Sequence, residues 1–215
     1  GIVDHEGRFV TLHYLMPLLY EYLVESRGMK GDGVRTTSAD PLFDDVCTAL
    51  GRACHEVPVG FKNVCELVLA KDILVGGEES GGVCFKGHMP ERDGLLSGLL
   101  TLEMMAAKKK SLADLVADMG RRFHTVEYLR TDRVFDQMKL KANMISLKKT
   151  PPERIAESAV VKVDTRDGIK FHMKNGCWML MRVSDTEPKG RIYVGGPKIK
   201  DVRRTLSGGE VLLFR

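Results

Sequence analysis

The chain has 215 residues, of which 43% are hydrophobic and 29% charged, and its formal net charge is +4 with the histidines neutral. The length suits one large domain or two ordinary ones, and the composition is typical of a soluble globular protein rather than a disordered one. Because no run approaches the roughly 18–20 apolar residues of a membrane-spanning helix, and because the surplus charge is mild, we expect neither a membrane nor a nucleic acid as a partner.

The five cysteines are odd in number and form no CxxC pair. This usage does not indicate a disulfide framework or a structural zinc site, and it favours reduced thiols in a cytoplasmic protein. The first residues lack the charged flank and apolar core of a signal peptide, and there is no initiator Met. We therefore expect a piece of a longer cytoplasmic chain.

Residues 1–125 alternate between strands and helices, which predicts a mixed α/β domain. Helical spacing of apolar residues, helix caps and short buried runs carry the individual predictions. They are a helix capped by Thr11, a strand over 34–37, a helix after Asp40-Pro41 that ends at Gly51, a strand over 54–57, a helix over 63–70, a strand over 73–75, and helices over about 94–110 and 111–122.

The composition changes after about residue 124, and residues 126–215 predict a small α+β domain. Residues 124–150 are polar and basic with little periodicity, and we interpret them as the connection between the domains followed by a first helix. The turn signals Asp167-Gly168 and Asn175-Gly176 predict an antiparallel sheet with flanking helices. Its predicted elements are a short helix over 153–157, strands over 160–164, 169–173, 177–182 and 191–194, and a terminal helix.

A glycine-rich loop, Gly76–Gly82, follows a buried strand directly and holds four glycines, Glu78, Glu79 and Ser80. Glycines in such numbers usually serve a special backbone shape or a close approach. Carboxylates accept hydrogen bonds from sugar hydroxyls, and a serine can donate or accept. The loop therefore indicates a polyol site, although a flexible surface turn would have the same composition.

A second loop lies between two predicted strands and is basic. Its cationic donors are Arg182, Lys189 and Arg191, and its hydroxyl donors are Ser184 and Thr186. Such a set can surround a phosphate, although a solvated basic hairpin would also fit. A nucleic-acid binder is a further alternative, which the scarcity of aromatic residues in this region disfavours. Neither loop holds a nucleophile–base pair, so the residues alone indicate a phosphorylated sugar or polyol as ligand.

The two loops, in this order, resemble the C-terminal half of the α-D-phosphohexomutases, the phosphoglucomutase/phosphomannomutase family. The resemblance covers nearly all of the chain. Val59–Lys62 is similar to the family's VGFK stretch, Gly76–Gly82 to its GEES sugar-binding loop, Lys86–Gly94 to the segment that opens the next helix, Arg182–Lys189 to its RPSGTEPK phosphate loop, and Arg191–Val194 to the strand after it.

The resemblance implies a four-domain enzyme that interconverts the 1- and 6-phosphates of a hexose. An active-site phosphoserine would donate its phosphoryl group, with Mg²⁺ held by an Asp-rich loop. Neither of those loops is in this sequence. The resemblance thus implies a sugar-binding third domain (1–125) and a phosphate-binding fourth domain (126–215), the latter with a four-stranded sheet. Their partners would be the upstream domains of the same chain. The two domains would hold no catalytic residue and no metal ligand, and they would have no activity alone.

The resemblance also implies roles for individual residues. Glu78 and Ser80 would hold two sugar hydroxyls, and Lys62 and Arg92 would add positive charge near the substrate. The phosphate that does not react would be bound by Arg182, Ser184, Thr186, Lys189, Arg191 and the backbone at Asp185.

One departure from the family concerns the phosphate loop, because Asp185 stands where the family usually has Gly. A carboxylate beside the phosphate would weaken binding unless it points to solvent.

The sequence favours glucose phosphate as substrate. A mannose, glucosamine or pentose phosphate remains an alternative, and so does a non-catalytic module that binds sugar phosphates.

Overall fold

The computed structural model describes residues 1–184 and 187–215. The chain forms two compact units, Gly1–His124 and Thr125–Arg215, so the division lies one residue before the predicted boundary. The first unit is mixed α/β and the second is α+β with an antiparallel sheet, which confirms the predicted fold class. Among the described residues, no helix combines the length and the hydropathy that crossing a membrane requires.

The first unit is built on a four-stranded sheet in the order β4-β3-β5-β6. Strand β3 is parallel to both β4 and β5, whereas β6 is antiparallel to β5. A separate two-stranded hairpin, β1–β2, precedes it. The strands of this unit are β1 (Ile2–Val3), β2 (Phe9–Val10), β3 (Asp32–Thr36), β4 (Cys54–Val57), β5 (Ile73–Gly77) and β6 (Val83–Phe85).

Five helices accompany this sheet among the described residues. Helix α1 is largely buried, and its Leu15, Leu18, Leu19 and Leu23 are all at most 3% exposed. The helix continues through Pro17 without interruption. The helices are α1 (Leu12–Glu25), α2 (Leu42–Ala49), α3 (Phe61–Ala70), α4 (Gly94–Lys108) and α5 (Leu112–Arg122).

A buried cation fixes the loop that follows β3. Arg35 is only 4% exposed. Its guanidinium is paired with Asp44 of α2 and with Glu56, its direct neighbour on β4, at 2.6 Å. It also donates to the carbonyl oxygens of Thr36 (3.3 Å) and Ala39 (3.4 Å). Although burial acts to lower the pKa of Arg35, the hydrogen bonds and charges of Asp44 and Glu56 raise it above its ordinary value.

A second ionic contact connects the end of α5 with the start of α2. The Nε2 atom of His124 lies 2.8 Å from Oδ1 of buried Asp40, and its Nδ1 atom lies 3.3 Å from the Asp45 carboxylate. Asp40 also accepts a hydrogen bond at 3.0 Å from the backbone N–H of Leu42, the first residue of α2, whereas the N-cap position itself is Pro41. The hydrogen bond with Asp40 raises the pKa of His124, with the charges of both aspartates adding to the effect.

The second unit is a six-stranded antiparallel sheet in the order β7-β12-β11-β10-β9-β8. Two helices pack on one of its faces, where Leu140 and Val202 meet Met179, Met181 and Ile192 in a common core. The elements are β7 (Glu127–Val134), α6 (Gln137–Lys149), β8 (Arg154–Ile155), β9 (Ser158–Asp164), β10 (Ile169–Met173), β11 (Trp178–Val183), β12 (Lys189–Gly196) and α7 (Ile199–Leu213).

Strand β7 corrects two expectations. The helix expected within residues 124–150 is present as α6, but the expected connection before it is largely β7, which pairs with β12 over eight residues. With β8, it also makes the sheet six-stranded where the resemblance implied four strands. The physical reason is its position at the sheet edge. All eight β7 residues are exposed or only partly buried, so the strand lacks the apolar alternation by which strands are recognised.

The short helix predicted over 153–157 was also wrong. Residues 154 and 155 instead form β8, which pairs with the start of β9 through the contacts Arg154↔Ala159 and Ile155↔Ser158. Ala156 supports the tight turn with a φ of 49°. A five-residue helix would form very few backbone hydrogen bonds. The hairpin, by contrast, buries Ile155 in the core of the unit.

All five cysteines are free thiols. Cys47, Cys84 and Cys177 are buried. Burial raises the pKa of the Cys84 thiol to about 11, which keeps it protonated and unreactive near neutral pH.

We expect Arg35→Met to destabilise the first unit by about 2–3 kcal/mol. Removing one partner of a buried ion pair typically costs about 3–5 kcal/mol, and partial exposure of Asp44 reduces that figure. Denaturant unfolding followed by far-ultraviolet circular dichroism measures the change, while fluorescence of the single tryptophan, Trp178, reports separately on the second unit.

Arg121→Met is the control for Arg35→Met, since the ion pair of Arg121 with Asp118 is at the surface, where such pairs contribute little to stability. A change for Arg35→Met no larger than that of the control would contradict the importance given to the buried pair.

We expect the stabilisation by His124 to decrease with rising pH. A raised pKa in the folded state means that the contribution is complete below the unfolded-state pKa of about 6.5 and is lost as pH rises through the folded-state value. The free energy of unfolding of the unaltered chain, minus that of His124→Gln, should therefore shrink above about pH 6.5. In an Asp40→Asn background, which retains a capping oxygen, the pH dependence should be much weaker. Equal curves in both backgrounds would show that Asp40 is not the cause.

Candidate functional site

The candidate sugar site of the first unit lies where three parallel strands end. Because β4, β3 and β5 are adjacent and parallel, the loops that follow them meet at one edge of the sheet. In open α/β sheets, ligands bind in the crevice outside the carboxyl ends of the strands. The loops at this edge comprise residues 37–41, 58–60 and 78–82.

The predicted glycine-rich loop is a tight turn that displays its serine. The backbone N–H of Glu78 donates to the carbonyl of Gly82 at 2.9 Å, which closes the loop between β5 and β6. Gly81 has a φ of 119°, a conformation that favours glycine. Ser80 is exposed at the tip. The glycines therefore serve a backbone shape, and the loop presents a hydroxyl to solvent.

Glu78 points inward from this loop and is only 7% exposed. Its Oε1 atom accepts a hydrogen bond from the backbone N–H of Gly60 at 3.0 Å. Gly60 is the residue from which α3 starts, and a helix N-terminus favours a negative charge. The structure thus joins two of the predicted motifs, the VGFK stretch and the glycine-rich loop, by a hydrogen bond from Gly60 to Glu78.

Arg92 is placed beside the same two motifs. Its guanidinium lies over the Phe61 ring, 5.1 Å from the ring centroid. Its side chain also crosses Gly82 so closely that a Cβ there would lie 2.5 Å from Cδ of Arg92. Lys62 is exposed in the first turn of α3. The four predicted sugar-site residues of this unit therefore lie in the glycine-rich loop, in the first turn of α3 and in the segment before α4. Their roles toward a ligand stay predictions.

Sequence reasoning missed a buried hydroxyl pair at this edge. Ser38, which is fully buried, donates a hydrogen bond to Oε2 of Glu79, and its Oγ atom lies 3.1 Å from Oγ1 of Thr36. Ser38 and Glu79 are 41 residues apart, so their spacing gives no local signal. Only the parallel pairing of β3 with β5 would have indicated that the loops after these strands meet.

In the second unit, the predicted phosphate-loop residues lie on one face of the β11–β12 hairpin. Arg182 and Arg191 are directly opposite each other in the register. Ser184 follows Arg182 by two residues and pairs through its N–H with the carbonyl of Lys189 at 3.0 Å. Because side chains alternate along strands, these four residues share a face. The predicted loop is accordingly shorter than expected, since Arg182 and Arg191 belong to strands.

Two aspartates that the sequence did not reveal flank the arginine pair. Arg182 donates through Nε to Asp167 at 2.8 Å, and Nε of Arg191 lies 3.6 Å from Asp132. Arg130 donates two hydrogen bonds to the Asp132 carboxylate. These bonds are the main reason why the pKa of Asp132 is lowered. Like charges directly opposite on neighbouring strands repel. The flanking carboxylates offset that repulsion.

The tip of this hairpin is partly described. The N–H of Glu187 donates to Oγ of Ser184 at 3.2 Å, and the Lys189 ammonium lies 3.2 Å from the Glu187 carboxylate. Lys189 is therefore partly neutralised by its own loop. Asp185 and Thr186, both predicted to contact the phosphate, lie outside the described residues.

The resemblance implies a magnesium ion, but residues 1–184 and 187–215 provide no set of side chains that fits one. No three or more His, Cys, Asp or Glu side chains in these ranges are grouped so that they could hold a metal ion.

The family described as phosphoglucomutase/phosphomannomutase, α/β/α domain III, matches residues 12–123. A phosphoglucomutase/phosphomannomutase of Thermococcus kodakarensis is 29% identical over 98% of the chain and 44% of its own length. A phosphoglucosamine mutase of Methanocaldococcus jannaschii is 30% identical over 98% of the chain and 45% of its own length. The chain thus spans a little under half the length of these relatives.

Solved structures agree in fold. A crystal structure from Thermus thermophilus, assigned as a phosphomannomutase, superposes with a TM-score of 0.81 at 32% identity, over 99% of this chain and 43% of that one. A phosphoglucomutase/phosphomannomutase family protein of Burkholderia thailandensis gives a TM-score of 0.74 at 19% identity, also over 99% and 43%. The latter similarity concerns the fold alone.

Proposed function

Since the chain belongs to the phosphoglucomutase/phosphomannomutase family, we propose that it is the substrate-recognising part of an enzyme that interconverts hexose 1-phosphate and hexose 6-phosphate. The first unit would bind the sugar and the second the phosphate that does not react. As relatives are more than twice as long, the phosphoserine and the Mg²⁺ site of the reaction would belong to the remainder of a longer chain.

The observation that carries the proposal is the pair of arginines opposite each other at the end of the β11–β12 hairpin. Two guanidinium groups on one face, with the hydroxyl of Ser184 and the ammonium of Lys189 beside them, form a donor set suited to a phosphate. Each arginine has a carboxylate partner on one side only among the contacts described, so its planar fork of donors can be shared with an anion.

The sugar side of the proposal is supported by the chemistry of the first unit. Carboxylate oxygens and a hydroxyl are the groups that hydrogen-bond sugar hydroxyls. Glu78 and Ser80 supply them on a loop whose backbone is held closed. Binding the far end of the substrate would also position its reacting end, and positioning together with electrostatics provides most of the catalysis in phosphoryl transfer.

The proposed sugar is glucose, as the sequence favoured. Mannose and glucosamine phosphates are the alternatives, and a phosphoglucosamine mutase is among the matched relatives. Comparing kcat/KM of the longer protein for glucose, mannose and glucosamine 1-phosphates distinguishes the three. A longer protein that turns over none of them would favour a non-catalytic module that binds sugar phosphates.

We expect Arg182→Ala and Glu78→Gln to affect different halves of the substrate. In the longer protein, loss of the charge-assisted contact from Arg182 should weaken phosphate binding by about 1.5–3 kcal/mol, which is roughly ten- to hundredfold. The inhibition constant for inorganic phosphate measures it. Glu78→Gln retains an oxygen for the Gly60 N–H but loses the charge, so it should raise KM for the sugar phosphate and leave phosphate inhibition unchanged.

Arg166→Ala serves as the matched control for Arg182→Ala, because Arg166 pairs with Asp164 in the same unit and is exposed. It should leave both constants unchanged. Equal effects of Arg182→Ala and Glu78→Gln on phosphate inhibition would contradict the division between the two units.

We expect the purified 215-residue chain to show no mutase turnover. The proposal leaves it without a phosphoryl donor, whatever its affinity for substrate. Conversion of glucose 1-phosphate to glucose 6-phosphate, followed by a coupled dehydrogenase assay, checks this. Turnover that persists after repurification would overturn the assignment of the catalytic groups to the rest of a longer chain.

A further inference from the structure

A chain of three side chains connects the end of β3 with the glycine-rich loop. Thr36 and Ser38 are both 0% exposed. Ser38 carries a single hydroxyl proton and donates it to Oε2 of Glu79. The 3.1 Å contact between the hydroxyls of Thr36 and Ser38 must therefore have Thr36 as its donor. Both donors point in one direction, toward the carboxylate.

The end of this chain at Thr36 and Ser38 is rigid. The loop after β3 is held by the buried Arg35 guanidinium through the carbonyls of Thr36 and Ala39. The N–H of Thr37 continues the pairing with β4 by donating to the carbonyl of Val57 at 2.9 Å. A hydrogen bond from such a fixed hydroxyl to a carboxylate is charge-assisted and restricts where that carboxylate can lie.

We propose that Ser38 is a positioning residue for the glycine-rich loop. Through Glu79 it fixes the loop between residues 78 and 82, and thereby sets the directions of the flanking Glu78 and Ser80. The inference rests on the proposed function, in which those two residues bind sugar hydroxyls. Ser38 itself is buried and acts only through Glu79.

A merely structural hydroxyl would affect stability and nothing else, so the readout must be specific to the sugar. In the full-length protein, Ser38→Ala should lower kcat/KM for glucose 1-phosphate about tenfold, since small misplacements of binding groups carry large penalties. The inhibition constant for inorganic phosphate should stay within about twofold. Thr36→Val, which preserves volume and strand preference, should act in the same direction but less strongly.

Two comparisons separate positioning from general destabilisation. Thr101→Val removes a buried hydroxyl of α4, whose bond to the Ser97 carbonyl is 2.7 Å, and should leave kcat/KM unchanged. In a Glu79→Ala background, Ser38→Ala should have less than about twofold further effect, because residues that act as a unit are not additive. Amide hydrogen exchange over residues 78–82 should also become faster in Ser38→Ala without any ligand present.

The outcomes are distinct. Unchanged kcat/KM and exchange in Ser38→Ala, an equal loss of phosphate inhibition, or full additivity with Glu79→Ala would each overturn the inference while leaving the proposed function intact. A full-length protein that neither converts nor binds hexose phosphates would overturn the proposed function, and the role of Ser38 with it.

Discussion

The buried guanidinium of Arg35 holds together the elements from which the candidate sugar site is built. An arginine cannot lose its charge in a protein, so each of its donors must find an acceptor once it is buried. Here the acceptors come from α2, β4, the end of β3 and the loop after it. One side chain thereby fixes the loop that carries Ser38 and, through it, Glu79. The geometry of the candidate sugar site thus depends on a charge that is buried in the interior of the unit.

The second unit has to accommodate two positive charges that lie close together. Arg182 and Arg191 face each other across two strands, an arrangement that is unfavourable unless negative charge lies close by. Asp167 and Asp132 supply that charge from the neighbouring turn and strand. The aspartates make the arginine pair compatible with a folded, ligand-free sheet, and they hold both guanidinium groups near the hairpin end, where a phosphate oxygen could take part of their hydrogen-bonding capacity.

The sequence predicted most secondary-structure elements and both loops from their own residues, but it did not predict the contacts between distant segments. Gly76–Gly82 was recognisable because its glycines require an unusual backbone, and the basic hairpin because strands and turn residues surround it. Strand β7 was not predicted because backbone pairing with β12 defines it. Its side chains are exposed or only partly buried, so they show no apolar pattern. The partners of the site residues were not predicted either, since Asp167 and Arg182 are 15 residues apart and Ser38 and Glu79 are 41 apart. Only tertiary structure brings such pairs together.

The hydrogen bond from Gly60 to Glu78 has a consequence for selectivity. The start of a helix attracts anions, and free phosphates commonly settle there. In this chain the first turn of α3 already receives a carboxylate from within the same unit. A phosphate approaching that point would compete against a tethered negative charge and be repelled by it. Under the proposed function, this internal carboxylate would favour neutral hydroxyl groups at the acidic loop and would leave a phosphate to be bound by the arginines of the second unit.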